Sequence, residues 1–234
     1  MKDISSIPLV VPLRCADAAA TRDVGGKGAN LARMVRNRLP VPDGFCIRTA
    51  AYDRFLKGVD HLESFYANLE ELAFEPSEPV QAAAAQIRQH LAEVPIPADI
   101  ADQIISAWQS LGADLAYAVR SSATAEDQPQ ASCAGQHDTF LNVRGRDALL
   151  AAVRRCWISL FTDRAILYRM RNRIPQRSNV SLAVRKISNG LAAAAVYSCC
   201  NRVPSPSCPQ TPNRSRTFGV TSAPAKSSQT WSLP

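Results

Sequence analysis

Two clusters in the 234-residue sequence hold residue types suited to a phosphorylated ligand. The first is Gly25-Gly26-Lys27-Gly28, which opens a stretch of helical periodicity. Backbone amides at a helix start carry partial positive charge, and glycines let a phosphate come close to them. A lysine there adds a full charge. The spacing is neither GxxxxGK[ST] nor GxGxxG, so a plainer alternative stands beside it, a surface lysine next to a tight turn. The second cluster begins at Arg120, which ends the apolar run LAYAVR and heads the polar segment SSATAEDQPQASCAGQHD. A guanidinium leaving a strand end can lay its planar fork against a polyphosphate. Ser121, Ser122, Thr124 and Thr139 offer hydroxyls, and Gly135 permits close backbone approach. Glu126 and Asp127 are the carboxylates nearest to hand for Mg²⁺, which takes one or two plus phosphate oxygens. The alternative here is an ordinary solvated loop with one salt-bridged arginine.

Other constellations carry less chemistry. His61, His90 and His137 have no metal-ligand spacing; the first two fall on helical segments, and a phosphocarrier or acid/base role for His137 is disfavoured. Cys199, Cys200 and Cys208 have no histidine near them, so no metal centre is expected. There is no GxSxG elbow and no Cys/His nucleophile pair. The seven cysteines are scattered and odd in number, which fits reduced thiols.

Several elements must position the two clusters. Leu31, Met34, Val35 and Leu39 form the apolar stripe of a helix starting at the glycines. A Pro-Asp-Gly turn at 42–44 feeds a short strand ending at Ile47. Thr49 is the expected N-cap of a helix carrying Tyr52, Phe55 and Leu56. Residues 58–80 read as polar and uneven, with EPSEPV as a connector. Helices are expected from about Gln81 to Val94, and after Pro97 with Ile100, Ile104, Trp108 and Leu111 on one face and Gly112 as the stop. LAYAVR (115–120) and TFLNV (139–143) read as strands enclosing the polar segment, and loops of that length are usually functional. Residues 147–173 are helical with Leu150, Val153, Trp157, Leu160 and Phe161 inward and Thr162-Asp163 capping a restart; NVSLAV (179–184) begins a core strand.

Hydrophobic residues make up 46% and charged residues 20%, a composition that packs a core. No apolar stretch reaches the roughly 20 residues that span a bilayer, and the N-terminus lacks a secretory pattern, so a cytoplasmic protein with no membrane partner is expected. The net charge of +7 is unevenly placed. Asp163 is the last acidic residue; up to it, 16 basic residues face 20 acidic ones, and beyond it stand 11 basic residues and no acid. A basic tail can bind nucleic acid, but these charges are spread among Ser and Pro with no aromatic-basic motif, and a nucleic-acid partner is disfavoured.

VGGKGANLARM, LPVPDGFCIRTAAY, AYAVRSSATAEDQPQASCAGQHDTFLNVRG and RRCWISLFTDRAILYRMRN occur in the order and spacing of one family. Over residues 8–184 the chain resembles the N-terminal ATP-binding region of the phosphoenolpyruvate synthase / pyruvate phosphate dikinase family, with its rifampicin phosphotransferase branch particularly similar. The resemblance implies an α+β, ATP-grasp-like nucleotide domain, of which this sequence holds the first part, with ATP and Mg²⁺ as cofactors. It implies an ATP-dependent phosphotransferase that charges a histidine domain, releases AMP and phosphate, and passes the phosphoryl group to pyruvate or a rifamycin-type acceptor. By the same resemblance Lys27 holds ATP phosphates, Arg120 clamps the polyphosphate as the catalytic residue, and Gly135 and Thr139 belong to a phosphate-covering loop. Cys133 stands where the family has Phe, and His137 where it has Gln. After Val184 the family pattern stops: a Gln that meets adenine, a later Glu and Gln-x-Arg set, and the histidine and acceptor domains have no counterpart. Residues 185–234 are therefore expected to be an aberrant, disordered Ser/Pro-rich tail from a shifted reading frame, and the chain incompetent for full turnover alone. Two further classes are a non-catalytic ATP-binding module and, less favoured, a nucleic-acid binder driven by the tail.

Overall fold

In a computed structural model, which describes residues 8–16, 21–72, 78–123, 139–177 and 179–187, the last strand among the described residues is the central strand of the sheet. The elements are β1 (Val10–Pro12), α1 (Thr21–Arg36), β2 (Gly44–Ile47), α2 (Thr49–Leu56), α3 (Leu62–Glu71), α4 (Glu78–Glu93) and α5 (Ala98–Leu111). They are followed by β3 (Tyr117–Ala123), β4 (Thr139–Val143), α6 (Arg146–Ile158), a 3₁₀ turn (Ser159–Phe161), α7 (Asp163–Arg171) and β5 (Val180–Lys186). The result is a mixed α+β fold with an open five-stranded sheet in the order β1-β2-β5-β3-β4. Every neighbouring pair is antiparallel.

Strand alternation gives this sheet two unequal faces. Phe45 and Ile47 of β2, Tyr117 and Val119 of β3, and Val180, Leu182 and Val184 of β5 enter one large core with residues of α2 to α7. Trp157 of α6 lies near its middle, fully buried, with its ring 4.8 Å from Phe55 and 6.1 Å from Tyr52. The opposite face holds Cys46, Ala118, Arg120, Ser122, Ser181, Ala183 and Arg185, which are small or polar. On it α1 packs through Val24, Ala29, Leu31 and Ala32 against Cys46 and Ala183. Burial pushes the Cys46 thiol up to about 12, so it serves here as a small apolar side chain.

Most expected elements form, and the departures have physical causes. Residues 62–71, within the stretch read as polar and uneven, make α3; only Tyr66 and Leu69 of it are buried, so its apolar signal is thin. α4 starts at Glu78, with Pro79 in the first turn, where its missing amide costs nothing. Thr49 does not cap α2: Arg48 occupies that position, and the Thr49 hydroxyl donates to the Arg22 carbonyl at 3.1 Å. Leu39 lies beyond α1 and is 49% exposed, so it does not extend the stripe. Thr162 does cap α7, accepting from the Ala165 amide at 3.3 Å. β5 runs two residues past Val184, with Arg185 paired to Ala118 and Gly44 and Lys186 to Tyr117. Residues 188–234 lie outside the described residues. No helix among the described residues is long and apolar enough to cross a membrane.

Truncating Trp157 removes the largest fully buried side chain of the core. Trp157→Ala is expected to cost about 3–5 kcal/mol in urea unfolding, and a loss under about 1 kcal/mol contradicts the packing described.

Candidate functional site

The glycine cluster does not simply begin a helix; it breaks one. Within α1, Gly25 has φ 64° and ψ 169°, a conformation open essentially to glycine alone, and the helix restarts after it. The break lets the backbone descend onto the sheet. A Cβ on Gly25 would stand 2.3 Å from both the carbonyl oxygen and the hydroxyl of Ser122, and 2.7 Å from the Ser181 hydroxyl. A helix restart leaves its first amides without intrahelical acceptors. One of them, the Lys27 N–H, donates to Ser122 Oγ at 3.0 Å, so a serine from a distant strand caps α1 from outside. Ser181 Oγ in turn donates to the Ser122 carbonyl at 3.1 Å. Behind this point Gly28 lies against β2, where a Cβ would come within 3.1 Å of Cys46 Sγ.

Lys27 is held by its side chain as well. Its ammonium donates to the Ser121 carbonyl at 3.2 Å, one residue along β3 from Arg120. Arg120 and Ser122 are two apart on a regular stretch of strand and share a face, the face on which α1 sits. Arg120 is half-buried and stands opposite Thr139 of β4, itself exposed, and opposite Ala183 of β5. Directly opposed residues of antiparallel strands point the same way. Lys27 is thus bonded to the strand that carries Arg120, and Thr139 stands beside Arg120 on the neighbouring strand. Gly135, with Thr124, Glu126, Asp127, Cys133 and His137, lies outside the described residues.

The sequence alone gave no sign of several features. Ser122 is offered by its type as a phosphate hydroxyl, yet its observed contact is with the Lys27 amide. Ser181 carries no local motif; only its register with Ser122 places it there. Ser121, by contrast, turns its side chain to the other face and contributes only its carbonyl. Arg185 is a second arginine on the α1 face, and unlike Arg120 it is buried, with its stem against Gly44, where a Cβ would meet its Cγ at 3.0 Å. Asp23, the acidic residue in the first turn of α1, is engaged by Arg48. Among the described residues no three ligating side chains gather around a possible metal.

The family described as "Pyruvate phosphate dikinase, AMP/ATP-binding domain" matches residues 21–222, a span that reaches beyond Val184, and the chain belongs to that family. A rifampicin phosphotransferase of Streptomyces sp is 43% identical over 171 residues, covering 73% of this chain and 20% of the relative. A probable phosphoenolpyruvate synthase of Staphylothermus marinus is 39% identical over 182 residues, 74% of this chain and 22% of the relative. The phosphoenolpyruvate synthase of Escherichia coli is 37% identical over 206 residues, 84% of this chain and 26% of the relative. The chain thus spans about a fifth to a quarter of the length of the curated relatives it matches.

Gly25→Ala tests the descent of α1 onto the sheet. The backbone conformation alone is expected to cost about 1–3 kcal/mol, with the clash against Ser122 adding to it. An alanine variant as stable as the parent in urea unfolding would refute the geometry.

Proposed function

We propose that the α1 face of the sheet binds the triphosphate of ATP, as the first part of an ATP-grasp-like nucleotide domain in a phosphotransferase. The observation that carries the reading is the double attachment of Lys27 to Ser121 and Ser122, which sets a lysine at a helix start beside the strand residue Arg120. Family membership supports it independently. The donor set suits a polyanion: an ammonium, a guanidinium, the first amides of a restarted helix and the Thr139 hydroxyl. Their work is electrostatic. Lys27 and Arg120 offset charge on the phosphates and hold them in line, while Thr139, with Gly135 of the adjoining loop, covers them.

Mg²⁺ fits this reading as a companion of the nucleotide. It takes most of its oxygens from phosphate and water, so one or two carboxylates suffice, and Glu126 and Asp127 are the candidates. When bound, it offsets phosphate charge. Transfer through a histidine to pyruvate or a rifamycin-type acceptor, with release of AMP and phosphate, would engage parts of the relatives that this chain does not span. Alone, the chain is proposed to bind nucleotide without completing turnover. A non-catalytic ATP-binding module makes the same prediction for binding; supplying separate histidine and acceptor domains tells the two apart.

Titration calorimetry with Mg-ATP tests the site. Lys27→Ala and Arg120→Ala are each expected to weaken binding by about tenfold or more, as for a lost charge-assisted contact. Equal affinities for the parent and both variants would remove the assigned roles.

A further inference from the structure

We propose that Ser122 is a positioning residue for nucleotide binding: its hydroxyl, bonded to the Lys27 amide, sets where the Lys27 ammonium stands relative to Arg120. The inference rests on the triphosphate reading above and adds to it a residue that need not touch the nucleotide.

Three observations carry it. Ser122 and Ser181 are both fully buried, and the bonds from Lys27 N to Ser122 Oγ and from Ser181 Oγ to the Ser122 carbonyl bridge 95 and 59 residues of sequence. Gly25 has no space for a Cβ beside these atoms, so the start of α1 rests directly on the serine pair. Lys27 is anchored to β3 twice, through its amide at Ser122 and through its ammonium at Ser121, on the strand that also carries Arg120.

The consequence is mechanical. A lysine side chain has four rotatable carbons and little directional preference, so the place of its ammonium depends on where its backbone is held. Ser122 Oγ holds that backbone against the strand bearing the second cation. Without the hydroxyl the Lys27 amide loses this part-buried acceptor and the helix start is free to lift. The two cations then no longer keep a fixed separation, and a triphosphate must order them at the moment of binding.

The test is a double-mutant cycle in Mg-ATP affinity on the full chain. Ser122→Ala is expected to weaken binding roughly three- to tenfold. Because Ser122 acts through Lys27, the double variant is expected to bind no worse than Lys27→Ala alone. A purely structural role would instead give losses that multiply. Ser159→Ala removes a buried hydroxyl of the 3₁₀ turn that donates to the Cys156 carbonyl and does not contact Lys27; it is expected to lower the thermal midpoint while leaving affinity within about twofold. If Ser122→Ala does not fold, Ser122→Cys, which keeps the shape but accepts hydrogen bonds weakly, takes its place in the cycle. Multiplicative losses, or unchanged affinity in the Ser122 variant, overturn the proposal while the nucleotide site stands. A parent chain that binds no Mg-ATP overturns the site itself, and the proposal with it.

Discussion

The arrangement depends on the absence of one carbon atom. At Gly25 the chain must pass within contact distance of Ser122 and Ser181, at a positive φ that other residues strongly resist. With a hydrogen in place of a methyl group, the start of α1 can sit directly on β3 and β5. Everything distinctive about the polar face follows from that approach: the cap supplied by Ser122, the anchoring of Lys27, and the shared face with Arg120.

The sheet gives this contact its setting. Its two faces are divided by alternation along β2, β3 and β5, and the large apolar residues all fall on the side of α2 to α7. What remains for the other side is small or polar, covered in part by α1 through a second, smaller cluster. Such a face is poor as a core. It suits a charged ligand, because its serines and arginines lie on rigid strands rather than on mobile loops. On the proposed reading, stability and binding fall to opposite surfaces of one sheet, whose middle strand β5 lies between β2 and β3.

Much of this was legible without coordinates. The helix stripe of α5, the strand TFLNV and the cap at Thr162 follow from local periodicity and side-chain type, and they form as read, whereas Leu160 and Phe161, read into one helix with Trp157, fall in the 3₁₀ turn after α6. Lys27, Arg120 and Thr139 stand out by chemistry and by family likeness; the structure bonds Lys27 to the strand of Arg120 and sets Thr139 opposite Arg120. Local reading failed where tertiary context supplied the missing stabilisation. α3 has two buried residues and is preceded by His61, in a left-handed conformation with no capping side chain, so packing rather than periodicity makes it a helix. Thr49 looked like a cap because its type and place allow it, but a carbonyl of α1 captures its hydroxyl. Arg185 and Lys186 broke the apolar pattern of a core strand, yet the ladder on both sides of β5 holds them in it.

Sequence by itself determined the types: which residues are cationic, where glycines permit an unusual turn, which runs alternate and which repeat at helical spacing. These are properties of neighbours along the chain, and steric and hydrophobic rules act on them locally. Only the tertiary structure decided the distances. That Ser122 caps a helix amide 95 residues earlier, that Ser181 supports it, and that β5 lies between β2 and β3 all depend on the register of strands far apart in sequence. Register is settled by burying one whole face at once, a cooperative choice that no short stretch of the chain contains.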